Sequence, residues 1–229
     1  VRTVDIESKQ VKSMDEVIRE NRISDIDFVK IDTEGAELAI LKGSQEEVSP
    51  KIFGLQVEVE FIEKCVGQPL FRDVDYFLNQ KGFQIMDLRR QFWKRKVFNN
   101  FSGKGQLVFG DALYFKRLNV LAEEWSSLSD KGQRLSKLYK AVLCSLVCRM
   151  FDYSIAIVEI GRERGFLDSG EAGELSAWIE AEARHRELPN FPGREKLYAL
   201  FNRIAEALKP KSFWGFSDSD RLIGNIKDL

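Results

Sequence analysis

The segment Phe28-Val29-Lys30-Ile31-Asp32-Thr33-Glu34-Gly35-Ala36-Glu37 changes its apolar period in mid-course, and that change narrows the folds open to the chain. Phe28, Val29 and Ile31 favour an extended strand, whereas Leu38, Ile40 and Leu41 recur at helical spacing just after Asp32. A strand that passes into a helix through an acidic, glycine-containing turn is a building unit of α/β sheets. It puts Asp32 at a strand's carboxyl end, the side on which open sheets carry their ligand crevice.

The neighbouring segments continue the alternation. Val4 and Ile6 suggest a short strand within Val1 to Val11, and Ser13 with Glu16 three residues on forms a capping box for a helix reaching about Arg22. Beyond Asp32 the pattern predicts a helix from about Gly35 to Leu41, a strand at Leu55 to Phe61, and a loop holding Gly67 and Pro69. A helix from about Asp73 to Gln80 then stops at Gly82, followed by strands at Phe83 to Leu88 and Leu107 to Phe115. Such alternation predicts a largely parallel sheet, with its last two strands, joined without a helix, pairing antiparallel.

From about Asn119 glycine thins out, and helical periodicity marks Gln133 to Arg149, Phe151 to Arg164, Glu171 to Arg186 and Gly193 to Leu208. Residues 1–117 therefore read as an α/β domain and 118–229 as an all-α extension, without a fixed-period repeat. The extension carries no chemistry legible in sequence; oligomerisation or docking of a protein partner is the role left for it.

Composition removes several functions. A net charge of −1 across 229 residues offers no general attraction to nucleic acid or anionic membranes. The apolar run Ala141 to Val147 is far short of a bilayer span, and Lys140, Arg149 and Asp152 flank it. Three cysteines fit no zinc spacing, and with no secretion signal visible the reading is cytoplasmic. Cys144 and Cys148 stand one helical turn apart, which is read as core packing rather than a metal or redox pair.

Asp27 to Ser44, together with Leu55-Gln56-Val57-Glu58-Val59-Glu60-Phe61 and Gly103 to Phe115, resembles the FkbM family of methyltransferases. The resemblance implies a Rossmann-like class I fold, S-adenosylmethionine as cofactor, and transfer of a methyl group to a hydroxyl of a sugar or other small polar acceptor. It aligns this chain with the C-terminal part of such a domain. The family's glycine-rich cofactor loop, and the acidic residue that follows it, are then expected upstream of Val1. On that expectation the chain is an N-terminal truncation whose Asp32 strand lacks a neighbour on one side.

Methyl transfer needs an aligned acceptor and a group to take its proton. The single histidine, His185, falls in the helical region, so carboxylates are the candidates. Asp32, Glu34 and Glu58 are the candidate catalytic residues, with Glu58 matching the family's glutamate on its strand; Asp32 and Thr33 are the candidate cofactor contacts. Glu60 shares the face of Glu58 because both alternate with Val57 and Val59. The alternative for Asp32, Glu34 and Glu37 is complementing a helix N-terminus. No metal is expected from the spacing.

The basic, aromatic run Arg89-Arg90-Gln91-Phe92-Trp93-Lys94-Arg95-Lys96 is placed in the connection between the last two strands. There Trp93, Lys94 and Arg95 are candidate contacts to an anionic or sugar acceptor, the alternative being a solvated loop with Trp93 packed inward. Two other readings of the chain stay open: a non-catalytic interaction module built on half a methyltransferase, and a split enzyme whose cofactor half is a separate chain.

Overall fold

Ser13 starts the first helix as its spacing predicts: its hydroxyl accepts from the Glu16 amide, and the Glu16 carboxylate accepts from the Ser13 amide at 2.7 Å. The computed structural model describes residues 11–46, 48–95, 105–184, 189–208, 220 and 223. The strand expected in Val1 to Val11 lies almost wholly outside these residues, as do Gly103, Lys104, Lys96 and His185.

The α/β part runs α1 (Met14–Glu20), β1 (Phe28–Ile31), α2 (Glu37–Lys42), β2 (Gly54–Glu60), α3 (Phe71–Gln80), β3 (Phe83–Trp93) and β4 (Gln106–Lys116). The sheet order is β1-β2-β4-β3, with β1 parallel to β2 and β4 antiparallel to both of its neighbours. The last strand thus inserts between β2 and β3, and the mixed α/β, Rossmann-like expectation is met. Among the described residues β1 is paired on one side only.

Alternation along β2 assigns its two faces. Leu55, Val57 and Val59 are buried with Ile31, Ala112 and Tyr114 against Ile18 of α1, Leu41 of α2 and Val74 and Leu78 of α3. Gln56, Glu58 and Glu60 point to the other face, where their register partners on β4 are Leu113, Asp111 and Phe109. At its lower end that face is covered by helices. Phe53, Leu113 and Phe115 join a second core with residues of α4 (Leu118–Ser127), α5 (Lys131–Val147), α6 (Phe151–Glu163) and α7 (Ser169–Arg184). Its upper end, toward Glu58 and Glu60, carries the polar residues.

Close approaches hold these layers together. A Cβ on Gly54 would fall 2.7 Å from the Phe115 ring, so glycine lets the ring lie on the strand. Lys116 is buried at the sheet's end, where its ammonium contacts Glu124 Oε1 at 2.6 Å and donates to the Pro50 carbonyl, while the Tyr153 hydroxyl donates to the Lys116 carbonyl. Lys137 and Lys140 of α5 pair with Asp25 and Asp27 ahead of β1, tying the helical part to the sheet's edge. Cys144 and Cys148 pack against the helical core, where burial raises both thiols, Cys148 to about 11.

Two expectations need correction. Helix α4 was not anticipated, although Leu118, Leu121, Ala122 and Trp125 do recur at helical spacing. Strand β3 does not stop at Leu88 but continues to Trp93, because β4 offers backbone pairing along its whole length: Arg89 opposite Asp111, Gln91 opposite Phe109, Trp93 opposite Gln106. The basic run is therefore mainly strand, not connection. The last helix, α8 (Arg194–Leu208), exposes Leu197, Phe201, Ile204 and Leu208 along one side. No helix among the described residues is long and apolar enough to cross a membrane.

Candidate functional site

The turn after β1 is organised by Glu37. Its Oε1 accepts from the Thr33 amide and hydroxyl, both at 2.9 Å, and from the Gly35 amide at 3.2 Å, and its side chain is buried. Glu37 thus serves the turn itself, the local role open to it from sequence. Holding the turn this tightly puts Glu34 at φ +56° and Gly35 at φ +118°, the second a conformation natural to glycine. Asp32 and Glu34 consequently project outward; Asp32 pairs with Lys30 at 3.0 Å.

Glu58 and Glu60 approach from the adjoining strand β2, whose carboxyl end lies beside that of β1. Glu58 Oε2 is buried and has no hydrogen-bond partner. Burial, reinforced by the neighbouring charges of Asp32, Glu34 and Glu60 and partly relieved by Lys64, pushes the Glu58 carboxyl up to about 7. The four carboxylates are therefore close enough to act on one another. Glu60 is only 3% exposed and its carboxyl is also raised, by burial first, against the pull of Lys64.

Lys64, in the loop after β2, was not singled out in sequence. Its ammonium stands 2.5 Å from Glu60 Oε1 and 3.8 Å from Glu34 Oε2, and lies 5.1 Å from the centre of the Phe109 ring and 5.9 Å from that of Trp93. Trp93 meets Phe109 edge-on at 6.1 Å. Burial pulls the Lys64 ammonium down, but Glu60, Glu34 and Glu58 outweigh it and hold the group above its ordinary value. The loop leans on the β1 turn through Gln68, whose Oε1 accepts from the Lys64 and Cys65 amides and whose amide nitrogen lies over Gly35.

Of the sequence-derived candidates, Asp32, Glu34 and Glu58 come together at the carboxyl ends of β1 and β2, and Trp93 joins them through Lys64. Thr33 is next to Asp32, but its hydroxyl is engaged by Glu37. Lys94 follows Trp93 at the end of β3, and Arg95 donates to Gln106 across the β3–β4 ladder at 3.4 Å. The other described cations of the basic run have partners: Arg89 chelates Asp111, and Arg90 holds Asp220, from the C-terminal part of the chain, at 2.9 Å. Asp111 and Phe109, like Lys64, escaped the sequence reading; their only signal was alternation within a strand assigned by its apolar residues. Among the described residues no group of three or more His, Cys, Asp or Glu side chains is arranged to hold a metal ion.

The arrangement offers a half-buried carboxyl poised near neutrality, a surplus of negative charge about it, and an aromatic wall to one side. Comparison with known proteins agrees with the strand-turn-helix reading: residues 2–85 match the family model described as the methyltransferase FkbM domain. That match takes in β1, β2 and the turn after β1, and ends before Trp93 and β4. No curated protein and no solved structure matches the chain.

Proposed function

We propose, from the match of residues 2–85 to the FkbM methyltransferase domain model, that the protein transfers a methyl group from S-adenosylmethionine to a hydroxyl of a small polar acceptor, such as a sugar. The observation that carries this reading is Glu58, a carboxyl raised to about 7 with a buried, unpartnered Oε2 at the crevice. Such a group is half-ionised near neutral pH and accepts a proton without a large energetic mismatch.

The residues present fit the cofactor in charge. A sulfonium cation is favoured beside Asp32, Glu34 and Glu58, whose mutual repulsion it would relieve beyond what Lys64 does, and the reading is supported by a buried Glu58 oxygen that has no hydrogen-bond partner. Asp32 and Thr33 would hold it at the end of β1. When bound it supplies a methyl group already activated for attack.

The protein's own part is then positioning and proton transfer. Glu58 takes the acceptor's hydroxyl proton onto its carboxylate as the hydroxyl oxygen becomes nucleophilic. Trp93 and Phe109 shield one side from water and orient the acceptor's apolar face. Glu37 fixes the β1 turn so that Asp32 and Glu58 keep their spacing. The helical part, as a proposal, serves oligomerisation or a protein partner.

Calorimetric titration of S-adenosylmethionine into the protein tests the reading. Binding, followed by methyl transfer across a panel of hydroxyl compounds, is expected. Failure to bind would replace the enzyme with an interaction module.

A further inference from the structure

The Lys64 ammonium occupies a setting built for a cation. The buried Glu60 carboxylate and the Phe109 ring stand 2.5 and 5.1 Å from it, and the exposed Glu34 carboxylate and Trp93 ring form the rim at 3.8 and 5.9 Å. Ring distances below about 6 Å are those at which an aromatic face attracts a positive charge. Nothing in this enclosure is specific to a lysine side chain. Any ammonium of similar size meets the same groups.

Three further observations indicate that the place can be taken by a ligand. Lys64 belongs to neither a helix nor a strand but to the loop between β2 and α3, and its side chain is 26% exposed, so a rotation about its own bonds releases it to water. Glu60 Oε2 is buried without a hydrogen-bond partner, so the enclosure retains an acceptor that Lys64 does not satisfy. Acidic groups predominate on its β1–β2 side: Asp32, Glu34, Glu58 and Glu60 face the ammoniums of Lys30 and Lys64, while Arg89 and Arg90 are committed to Asp111 and Asp220 and Arg95 donates to Gln106. That side favours a cation over an anion.

We infer that the enclosure of Glu60, Glu34, Phe109 and Trp93 is an acceptor subsite selective for a protonated amine, which Lys64 fills until the ligand displaces it. This inference rests on the proposed methyl transfer and narrows its acceptor to a hydroxyl compound that also carries an amino group, of the amino-sugar class. The amine anchors in the cage while a neighbouring hydroxyl faces Glu58.

The test uses glucosamine, glucose and glucuronate, which share one ring and differ in charge. They are titrated at about pH 6.5, below the usual range of an aliphatic amine, into protein with labelled tryptophan. The indole resonance of Trp93, identified by its loss in Trp93→Phe, is the readout, and no methyl donor is present. Glucosamine is expected to bind more tightly than glucose by roughly fivefold or more, in line with a cation over aromatic rings, and glucuronate more weakly than either. In Lys64→Met glucosamine affinity rises several-fold with glucose unchanged, and Lys64→Arg restores the wild-type order.

Equal binding of the three sugars, strongest binding of glucuronate, or equal weakening of glucosamine and glucose by Lys64→Met would overturn the inference. Thermal unfolding of each variant confirms that the comparison is made on folded protein. Loss of S-adenosylmethionine binding in the calorimetric experiment would instead sink the methyl-transfer reading and leave the Trp93 titration intact, so the two failures are told apart.

Discussion

Glu58 and Asp111 face each other across the β2–β4 ladder, yet only Asp111 is neutralised. Gln56 donates to one Asp111 oxygen at 2.9 Å and Arg89 to the other, while Glu58 keeps a buried oxygen with no partner. Two carboxylates paired at one ladder position thus differ in their hydrogen bonding: Asp111 is held by Gln56 and Arg89, while the Glu58 carboxyl is raised to about 7 chiefly by burial.

For Glu58→Gln the expected outcome is a loss of methyl transfer of about 10²–10⁴-fold, the usual worth of a general base. In the wild type the rate should rise as pH passes through about 7, where Glu58 loses its proton, and that limb should vanish in the variant. Stability moves the opposite way. A folded-state carboxyl raised above its unfolded value binds more protons when folded, so stability falls as pH rises from the ordinary carboxylate range to about 7. Thermal unfolding across that window should show a flatter profile for Glu58→Gln; an unchanged slope would assign the dependence to other groups.

Gly35→Ala tests the β1 turn. The residue sits at φ +118°, and an added Cβ would lie 2.9 Å from the Gln68 amide nitrogen, which belongs to the loop that carries Lys64. Strain of this kind costs about 1–3 kcal/mol. Because Gln68 is the flexible member of the contact, the double change Gly35→Ala with Gln68→Ala should relieve the steric part and leave the backbone part. Chemical denaturation of both variants measures the division, and a full recovery in the double variant would show that backbone strain is absent.

The buried pair Lys116–Glu124 predicts an asymmetry. Lys116 is 1% exposed, its ammonium is lowered chiefly by burial, and Glu124 together with the Pro50 carbonyl keeps it satisfied. Removing the acid alone, in Glu124→Gln, leaves that charge uncompensated and should cost about 3 kcal/mol. Replacing both, Lys116→Met with Glu124→Leu, should recover most of the loss, since a desolvated ion pair is worth little more than an apolar contact of the same size. Urea unfolding of the single and double variants supplies the cycle.

The strand-turn-helix around Asp32 was legible because strand and helix differ in apolar period, and the Ser13 cap because its two partners are three residues apart. The convergence of Glu58 with Asp32 was legible from parallel strands sharing a carboxyl end. Lys64 and Asp111 were not, since their importance lies in what the sheet brings beside them: Glu60 and two rings in the first case, Gln56 and Arg89 in the second. The continuation of β3 through Arg89 and Arg90 was hidden for a related reason. Charges that look solvated in sequence are tolerated in a strand when Asp111 and a distant Asp220 receive them.

The crossing of α5 and α6 provides a last test of how the helical part is packed. Gly161 lets Leu138 lie against the helix backbone, and an added Cβ would clash with a Leu138 methyl. Further along the same contact the hydroxyls of Ser145 and Ser154 meet at 2.7 Å, both fully buried. Because Leu138 is fully buried in the helical core and Leu167 also lies against Gly161, Gly161→Ala should destabilise by about 1–3 kcal/mol through overpacking despite alanine's better helix propensity. Shortening the opposing side chain, in Gly161→Ala with Leu138→Val, should return part of that loss. Equilibrium unfolding decides it: additive penalties in the double variant would mean that the two residues do not share the contact.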